Sequence, residues 1–575
     1  MSEADANADG IVPGKRLIRQ GGDKGLSLAE RVADRLQRLA WRTPFHAVRL
    51  SGRHPLKLLA VTNDPFEGDA ARGRAMLDGE IRFRGEAVPV DDIGFAQPAF
   101  SAGFAEYLHS FAWLRDLATA APRATTVPVA EKIMRQWLDA HDVAVSDPAW
   151  RADLWGRRLL FWIAYAPLIL SSSDLVYRSR VLHALARGSR HLDRAAGRVP
   201  PGVRQIAAWA GLVAAGLIVP GGDPRRSFGE AGLQRALGQS LFDDGGSVGR
   251  SPGDQLDAVM LLTLLRETYA ARRIVPPEWL GAALTRMVSA LLGIVHGDAG
   301  LASWQGAAPV DGPELAEVIA ASGVRARPLR QARDWGYQRL AAAGTIVILD
   351  AAPPPVARVA AHGCASTLAF EMSDAGRRIV VNCGGGQALS PRLAQAVGHA
   401  LRTTAAHSTL VVADSNSTAI HADGTLGKGV GAVELSRRES DSASRIEASH
   451  DGYARRGGFL HRRILSLSPD GRDLAGEDLL LPAGRRGKRG DTPFSARFHL
   501  APGIEIAPTP DGQAAFLRLE DGPVWQFRCK GAVLGVEESL WIDGDGRPHE
   551  TFQLVLSGTA PPGGTGISWR FHRGR

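Results

Sequence analysis

Cysteine is scarce in this chain. Its three copies, Cys364, Cys383 and Cys529, form no Cys-x-x-Cys pair, which excludes a disulfide framework and leaves the redox setting open, leaning to a reducing one. Long apolar runs are missing too. Leu159 to Leu170, which holds Pro167, and Ile206 to Val219, which ends at Pro220-Gly221-Gly222, both fall short of the roughly 20 residues that span a bilayer. They read as buried helices, and no membrane span is predicted. The N-terminal stretch MSEADANADGIVPGKRLIRQGG has no apolar segment after a basic start, so no conventional secretory signal is visible and residues 1–25 are expected to form a disordered tail. A fixed-length repeat is also absent, which favours a closed helical toroid over a solenoid.

A chain of 575 residues is too long for one ordinary core, so two or three domains are expected, and a hydrophobic content of 45% can build them. The formal net charge is +8, from 68 Lys+Arg against 60 Asp+Glu. Arg strongly outnumbers Lys, which suits planar recognition of carboxylate, sulfate or phosphate, although a GC-rich genome explains the same bias.

The hydrophobic period changes partway along. Ser27-Leu28-Ala29-Glu30 is a capping box, and Leu28, Val32, Leu36 and Leu39 set an apolar stripe for a helix over about 27–41. Residues 45–98 read as an irregular insertion with a small strand near Glu80-Ile81-Arg82-Phe83-Arg84. Helical periodicity returns from Phe104 and runs through segments near 128–141, 150–170, 174–195, 203–218, 227–241, 253–272 and 277–295. Short Pro- and Gly-marked links predict antiparallel neighbours. From residue 337 onward the chain reads as ten or more alternating strands, punctuated by turns such as Pro469-Asp470-Gly471 and Pro510-Asp511-Gly512. The expected architecture is multidomain α + β, with an N-terminal α/α toroid over 26–325 and a large antiparallel β-sandwich over 337–575. A cleft at their seam is the natural site.

Chemistry-bearing residues concentrate between 358 and 418. His362-Gly363-Cys364 precedes a strand, Val380-Val381-Asn382-Cys383-Gly384 lies on the next, and His407-Ser408-Thr409-Leu410 opens a third. Upstream stand Asp244-Gly245-Gly246-Ser247 with Arg250-Ser251-Pro252, then His296-Gly297-Asp298, then Gly336-Tyr337. Together these segments resemble the heparinase II/III family of polysaccharide lyases, in a proteobacterial branch, over most of the chain from about 100.

The resemblance implies cleavage of an acidic, uronate-containing polysaccharide by β-elimination. That reaction needs a group to neutralise the uronate carboxylate, a base for the C5 proton and an acid for the departing oxygen. By position His362 is implied as base or neutraliser, with His407, Tyr337 and Ser247 as further catalytic candidates. Arg250, Asp244, His296 and Asp298 are implied at the substrate, Arg250 as a carboxylate clamp. Cys364, Asn382 and His407 fall where the family holds a metal. Asn is a weak neutral ligand, so no cofactor is certain and zinc at a degenerate site is the one implied. Ser247 stands near the place of the family's catalytic Tyr, and a serine hydroxyl has too high a pKa to replace a phenol without an activating neighbour.

Each of these residues has a plainer reading as well. Tyr177 and Tyr337 can be packing residues, His296 a helix-terminal cation, and the tryptophans, including Trp113, Trp155, Trp162 and Trp304, core rather than sugar platforms. Arg485 to Arg489 reads as a solvated basic loop. Three functions stay open: a lyase, a catalytically degraded glycan-binding or scaffold protein on the same fold, and a hydrolase using carboxylates such as Asp244, Asp254 and Asp257. An acidic polysaccharide is the expected partner, with neither nucleic acid nor a membrane span, and the oligomeric state is left open. Periplasm or cell envelope is implied by the resemblance, and the missing signal leaves the cytoplasm as the other location.

Overall fold

Helix starts are set by short polar side chains. Asp69, Ser101, Asp174, Ser251 and Asp311 accept hydrogen bonds from backbone N–H groups at the heads of helices Ala70–Leu77, Ala102–Ser110, Leu175–Ala195, Pro252–Ala271 and Gly312–Ser322. The computed structural model describes residues 11–12, 14–19, 41, 43–95, 100–143, 145–356, 358–359, 362–484, 490–520 and 522–574. The expected helix over 27–41 and the basic run Arg485 to Arg489 lie outside these residues, save for Trp41.

The helical half follows the periodicity of the sequence. Arg123–His141, Ala152–Ala164, Leu175–Ala195, Val203–Ile218, Asp223–Ser240, Pro252–Ala271 and Glu278–Gly293 succeed one another as an α/α toroid. Pro167 separates the short helix Ala166–Ile169 from its predecessor. At the centre, Val203–Ile218 is buried from Gln205 onward and crosses Ala152–Ala164 at contact distance. Two glycines permit that approach: a Cβ on Gly156 would lie 2.0 Å from the Ala207 carbonyl oxygen, and one on Gly211 would lie 2.3 Å from that of Gly156. Tryptophan fills the surrounding core. The Arg158 guanidinium is buried 4.2 Å from the Trp137 ring centre and 4.3 Å from that of Trp155, donating to the carbonyls of His109 and Ala149. Trp113, Trp155, Trp162 and Trp304 are all buried, so they build this core and present no ring to a sugar. Tyr177 is buried likewise.

Two antiparallel sheets form the C-terminal half. The first has nine strands in the order Gly14–Arg19, Ala432–Ser440, Ala443–His450, Phe459–Leu467, Asp473–Pro482, Thr565–Arg573, Val524–Lys530, Ala514–Arg518 and Glu505–Pro508. The second runs Val533–Ile542, Pro548–Ala560, Thr492–Leu500, Arg377–Val381, Phe370–Asp374, Thr345–Asp350 and Tyr337–Ala342, with Leu410–Val412 also pairing to Thr492–Leu500. Their inner faces share a core that includes Phe370, Phe498, Trp569 and Phe571. A buried charge sits in it, fully compensated: Asp478 accepts from Arg463, His461 and the Trp569 indole.

The tail expectation is corrected in part. Gly14–Arg19 is a strand, paired antiparallel to Ala432–Ser440 from Gly14↔Arg437 to Arg19↔Ala432. Its Leu17-Ile18 pair gives it one inward apolar position, Ile18, too little alternation to read from sequence. The insertion over 45–98 also contains helices Pro44–Leu50 and Ala70–Leu77 and the hairpin Glu80–Phe83/Glu86–Pro89.

Candidate functional site at the seam of the two halves

A cleft of about 2180 Å³ opens between the halves, with walls from both and from the 80–89 hairpin. Arg204 is one of the cations that line it. It stands in the first turn of Val203–Ile218, just after Pro200-Pro201-Gly202, and is exposed where the helix behind it is buried. Its Nη2 donates to Glu106 Oε1 at 3.0 Å, and Arg151 shares the same oxygen at 2.9 Å. Opposite, His362 comes from the sandwich side and is open to the cleft. Its Cβ packs over Gly306, which has φ +81°, and where any Cβ would approach to 2.5 Å. Burial by the cleft walls, then the charges of Arg402 and Arg204, hold the imidazole below its ordinary value, with Glu106 acting the other way. That direction favours the neutral imidazole at pH 7.

Asp254 completes this centre from the first turn of Pro252–Ala271. Burial, reinforced by the negative charge of Asp257, pushes its carboxyl up to about 6, against the opposing charges of Arg157 and Arg204. Asp257 itself is held in a two-pronged pair by Arg157. Arg204 and Glu106 act on both His362 and Asp254. These four residues make up the ionisable centre of the cleft.

Charge in the cleft runs against the charge of the chain. Among the described residues, sixteen of the side chains lining it are carboxylic and ten are arginine. A lining of that balance favours neutral or cationic ligands over polyanions. Trp541, half-buried on the sandwich wall, is the tryptophan that reaches it.

The residues expected from sequence divide between the cleft and the seam beneath it. His362 and Asp298 line the cleft, Asp298 held by Arg378 at 2.7 Å. Arg250 does not. It is buried with φ +56°, paired to Asp350 at 2.5 Å, and donates to the carbonyls of Trp335, Ala352 and Pro353. With its donors committed, it cannot clamp a substrate carboxylate, and its role is to fasten the two halves. Tyr337 lies in the same junction: its OH donates to the Arg250 carbonyl at 2.7 Å, and burial holds the phenol well above its ordinary value. Asp244 accepts from the backbone N–H groups of Asp334 and Trp335 and fixes the entry to the sandwich. Ser247 is buried beside them, outside the cleft lining.

His296 is buried as well, its Nδ1 3.0 Å from Ser373 Oγ. Its Nε2 lies 3.2 Å from Glu371 Oε2 without the alignment of a hydrogen bond. Burial, then Arg378 and Arg339, keep the imidazole well below its ordinary value. Burial also pushes Glu371 up to about 7 against the charge of Arg378.

The implied zinc set does not fit. Both ends of the Asn382 amide are engaged, Nδ2 donating to Glu371 at 2.8 Å and Oδ1 accepting from the Ser408 N–H at 3.0 Å. Burial drives the Cys364 thiol up to about 12, and its Sγ faces the His362 carbonyl at 3.4 Å. His407 is buried, donating Nδ1–H to the Thr403 carbonyl at 2.7 Å. Among the described residues no group of three His, Cys, Asp or Glu side chains is placed to hold a metal ion. Among the described residues the cleft centre also lacks the tyrosine that the resemblance implies as acid. The tyrosine lining the cleft is Tyr107, whose OH donates to Asp116 at 2.6 Å and whose phenol burial holds well above its ordinary value.

Sequence reasoning passed over Arg204 and Glu106. The only available signal for Arg204 was its place as a charged residue between a Pro-Pro-Gly turn and an unbroken apolar helix.

Comparison with known proteins bears on the whole chain. Residues 324–570 match the family model described as heparinase II/III-like, C-terminal. A curated relative, FtsZ-localized protein C of Caulobacter vibrioides, is 28% identical over 571 residues, covering 96% of each chain. A solved structure of heparinase III superposes with a TM-score of 0.69 at 12% identity, over 97% of this chain and 93% of that one. The heparan sulfate lyase HepC from Pedobacter heparinus gives a TM-score of 0.58 at 13% identity, over 92% and 87%. At these identities the solved structures speak to the fold.

Proposed function

On the match of residues 324–570 to the heparinase II/III-like, C-terminal family, we propose that the protein is a non-cleaving relative of those lyases, a glycan-binding scaffold that works at the cell-division apparatus. The observation that carries this reading is the commitment of Arg250. A β-eliminating enzyme must neutralise the uronate carboxylate before its C5 proton can leave, and the guanidinium implied for that task is spent on Asp350 and three carbonyls. The phenol acid is missing from the cleft centre and the metal set is dismantled, as described above. A neutral His362 beside Arg204 and Asp254 still makes a polar floor for hydroxyl-rich ligands, and Trp541 supplies an aromatic edge to the wall. The acidic lining speaks for a neutral or amino-bearing glycan in place of the polyanion the resemblance implies.

The division-site part of the proposal rests on FtsZ-localized protein C of Caulobacter vibrioides, which matches over 96% of each chain and not merely through the sandwich. No helix among the described residues is long and apolar enough to cross a membrane. Two measurements test the reading together. Purified protein is expected to co-sediment with GTP-assembled FtsZ polymers, directly or with the native host's division extract. It is also expected to release no unsaturated, ultraviolet-absorbing product from a broad panel of uronate glycans. A rise in absorbance that His362→Ala abolishes would return the protein to the lyases, and failure to associate with division assemblies would remove the scaffold role.

A further inference from the structure

The outer face of the nine-stranded sheet carries a transverse row that the cleft does not use. Strand register aligns Arg438, Arg445, Ser466, Ala475, Arg570 and Arg528 across six adjacent strands. Arg438 stands directly opposite Arg445, and Arg528 directly opposite Arg570. Like charges facing one another across a ladder cost stability. Asp473 and Asp511 offset the Arg528–Arg570 pair, whereas the Arg438–Arg445 pair has no carboxylate ion pair among the described residues and is the one an anionic partner would relieve.

Between the arginines the surface dips. Ser466, Ala475, Gly476 and Ser568 floor a groove of about 500 Å³, with Arg445 on one side and Arg528, Lys530 and Arg570 on the other. The floor is low because the outward positions hold the small residues Ser466, Ala475 and Ser568; Gly476 faces inward, where any Cβ would fall 2.1 Å from the buried Trp569 ring. Arg445 and Arg570 are three strands apart, about 14 Å at ordinary strand spacing. All four cations are exposed. Asp473 pairs with Arg570 from the side and Asp511 approaches Arg528 to 3.6 Å, while no carboxylate ion pair is recorded for Arg445 or Lys530 among the described residues. Glu477 is the one carboxylate in the groove.

We propose that this groove docks an acidic, extended polypeptide segment of a partner protein. Guanidinium groups on both banks suit bidentate capture of Asp and Glu carboxylates, and the small-residue floor lets a backbone approach. The buried Trp569 offers no ring for a sugar or base to stack on, which disfavours a glycan or nucleic acid. The surface is separate from the cleft and opposite to it in charge.

The test uses the full-length protein and a fluorescently labelled oligoglutamate, followed by anisotropy at two salt concentrations. Binding that weakens with salt is expected. Arg445→Glu combined with Lys530→Glu should weaken it at least tenfold, and Arg445→Gln with Lys530→Gln should weaken it several-fold. Arg235→Glu, an exposed cation on the helical half, should leave it unchanged. Circular dichroism and Tm establish that each variant is folded. Absence of oligoglutamate binding by the unaltered protein overturns the proposal, as does equal loss in the Arg235 variant. Selective binding of heparin oligosaccharide or of phosphatidylglycerol vesicles, lost in the groove variants, overturns it in favour of those ligands.

Discussion

Arg250 and Asp350 form an ion pair at 2.5 Å between the loop that precedes helix Pro252–Ala271 and the strand Thr345–Asp350 of the sandwich, and both side chains are buried. The pair is surrounded by three carbonyl acceptors and by the Tyr337 ring, 4.9 Å from the guanidinium carbon. Removing one partner strands the other charge in a low-dielectric seam. Arg250→Ala is expected to destabilise the protein by about 3–5 kcal/mol in chemical denaturation, and Arg250→Lys to recover little of it, since an ammonium cannot serve four acceptors in this planar arrangement. A substrate-clamping role would instead leave stability intact and impair ligand binding.

Asp254 makes the opposite prediction. Its folded carboxyl titrates near 6 against an ordinary value of 3.8, so the folded state binds the proton more tightly than the unfolded chain does. Its ionisation therefore costs stability above about pH 6, and the cost disappears as the pH falls below 4. Asp254→Asn should stabilise the protein by about 1 kcal/mol at pH 7, after discounting for the cleft water that reaches the group, and by almost nothing at pH 4. Equal gains at both pH values would refute the assignment.

The crossing of the two central helices tolerates no added methyl. Gly211→Ala is expected to cost about 1–3 kcal/mol and to lower Tm without changing ligand binding in the cleft, because the extra carbon meets the Gly156 backbone and has no rotamer by which to escape.

Zinc provides the fourth test. A protein that binds a metal only when folded gains stability with metal concentration. Here Tm is expected to be the same with added zinc and with a chelator, and Cys364→Ser to leave it insensitive to both. A zinc-dependent rise in Tm would restore the Cys364, Asn382 and His407 set.

The toroid was legible because its helices are long, apolar-striped and separated by Pro and Gly, and the turn glycines Gly471, Gly512 and Gly546 adopt the positive φ that Asp-Gly turns announce. Strands Ala432–Ser440 and Ala443–His450 escaped the reading because their outward positions hold Glu434, Arg438, Arg445 and Glu447, which thin the apolar alternation to a few inward residues. His362 could be found from its neighbours in sequence. The burial of Arg250 could not, since its four acceptors come from residues 335 to 353, far along the chain and invisible to local pattern. Arg204 and Glu106 were missed for the same cause: they become a site only when three separate elements converge.

Strand Gly14–Arg19 bears on how the molecule is assembled. Its hydrogen-bonding partner begins at Ala432, so during synthesis the early strand must wait, unpaired, until the helical half and the first strands of the sandwich have emerged. Until then the edge of Ala432–Ser440 is an open template that another chain could occupy. The short, basic sequence of the strand, with Lys15, Arg16 and Arg19 around one inward isoleucine, keeps it soluble during the delay. Once paired, this segment covers the Ala432–Ser440 edge and leaves a short, basic strand as the outer edge of the sheet.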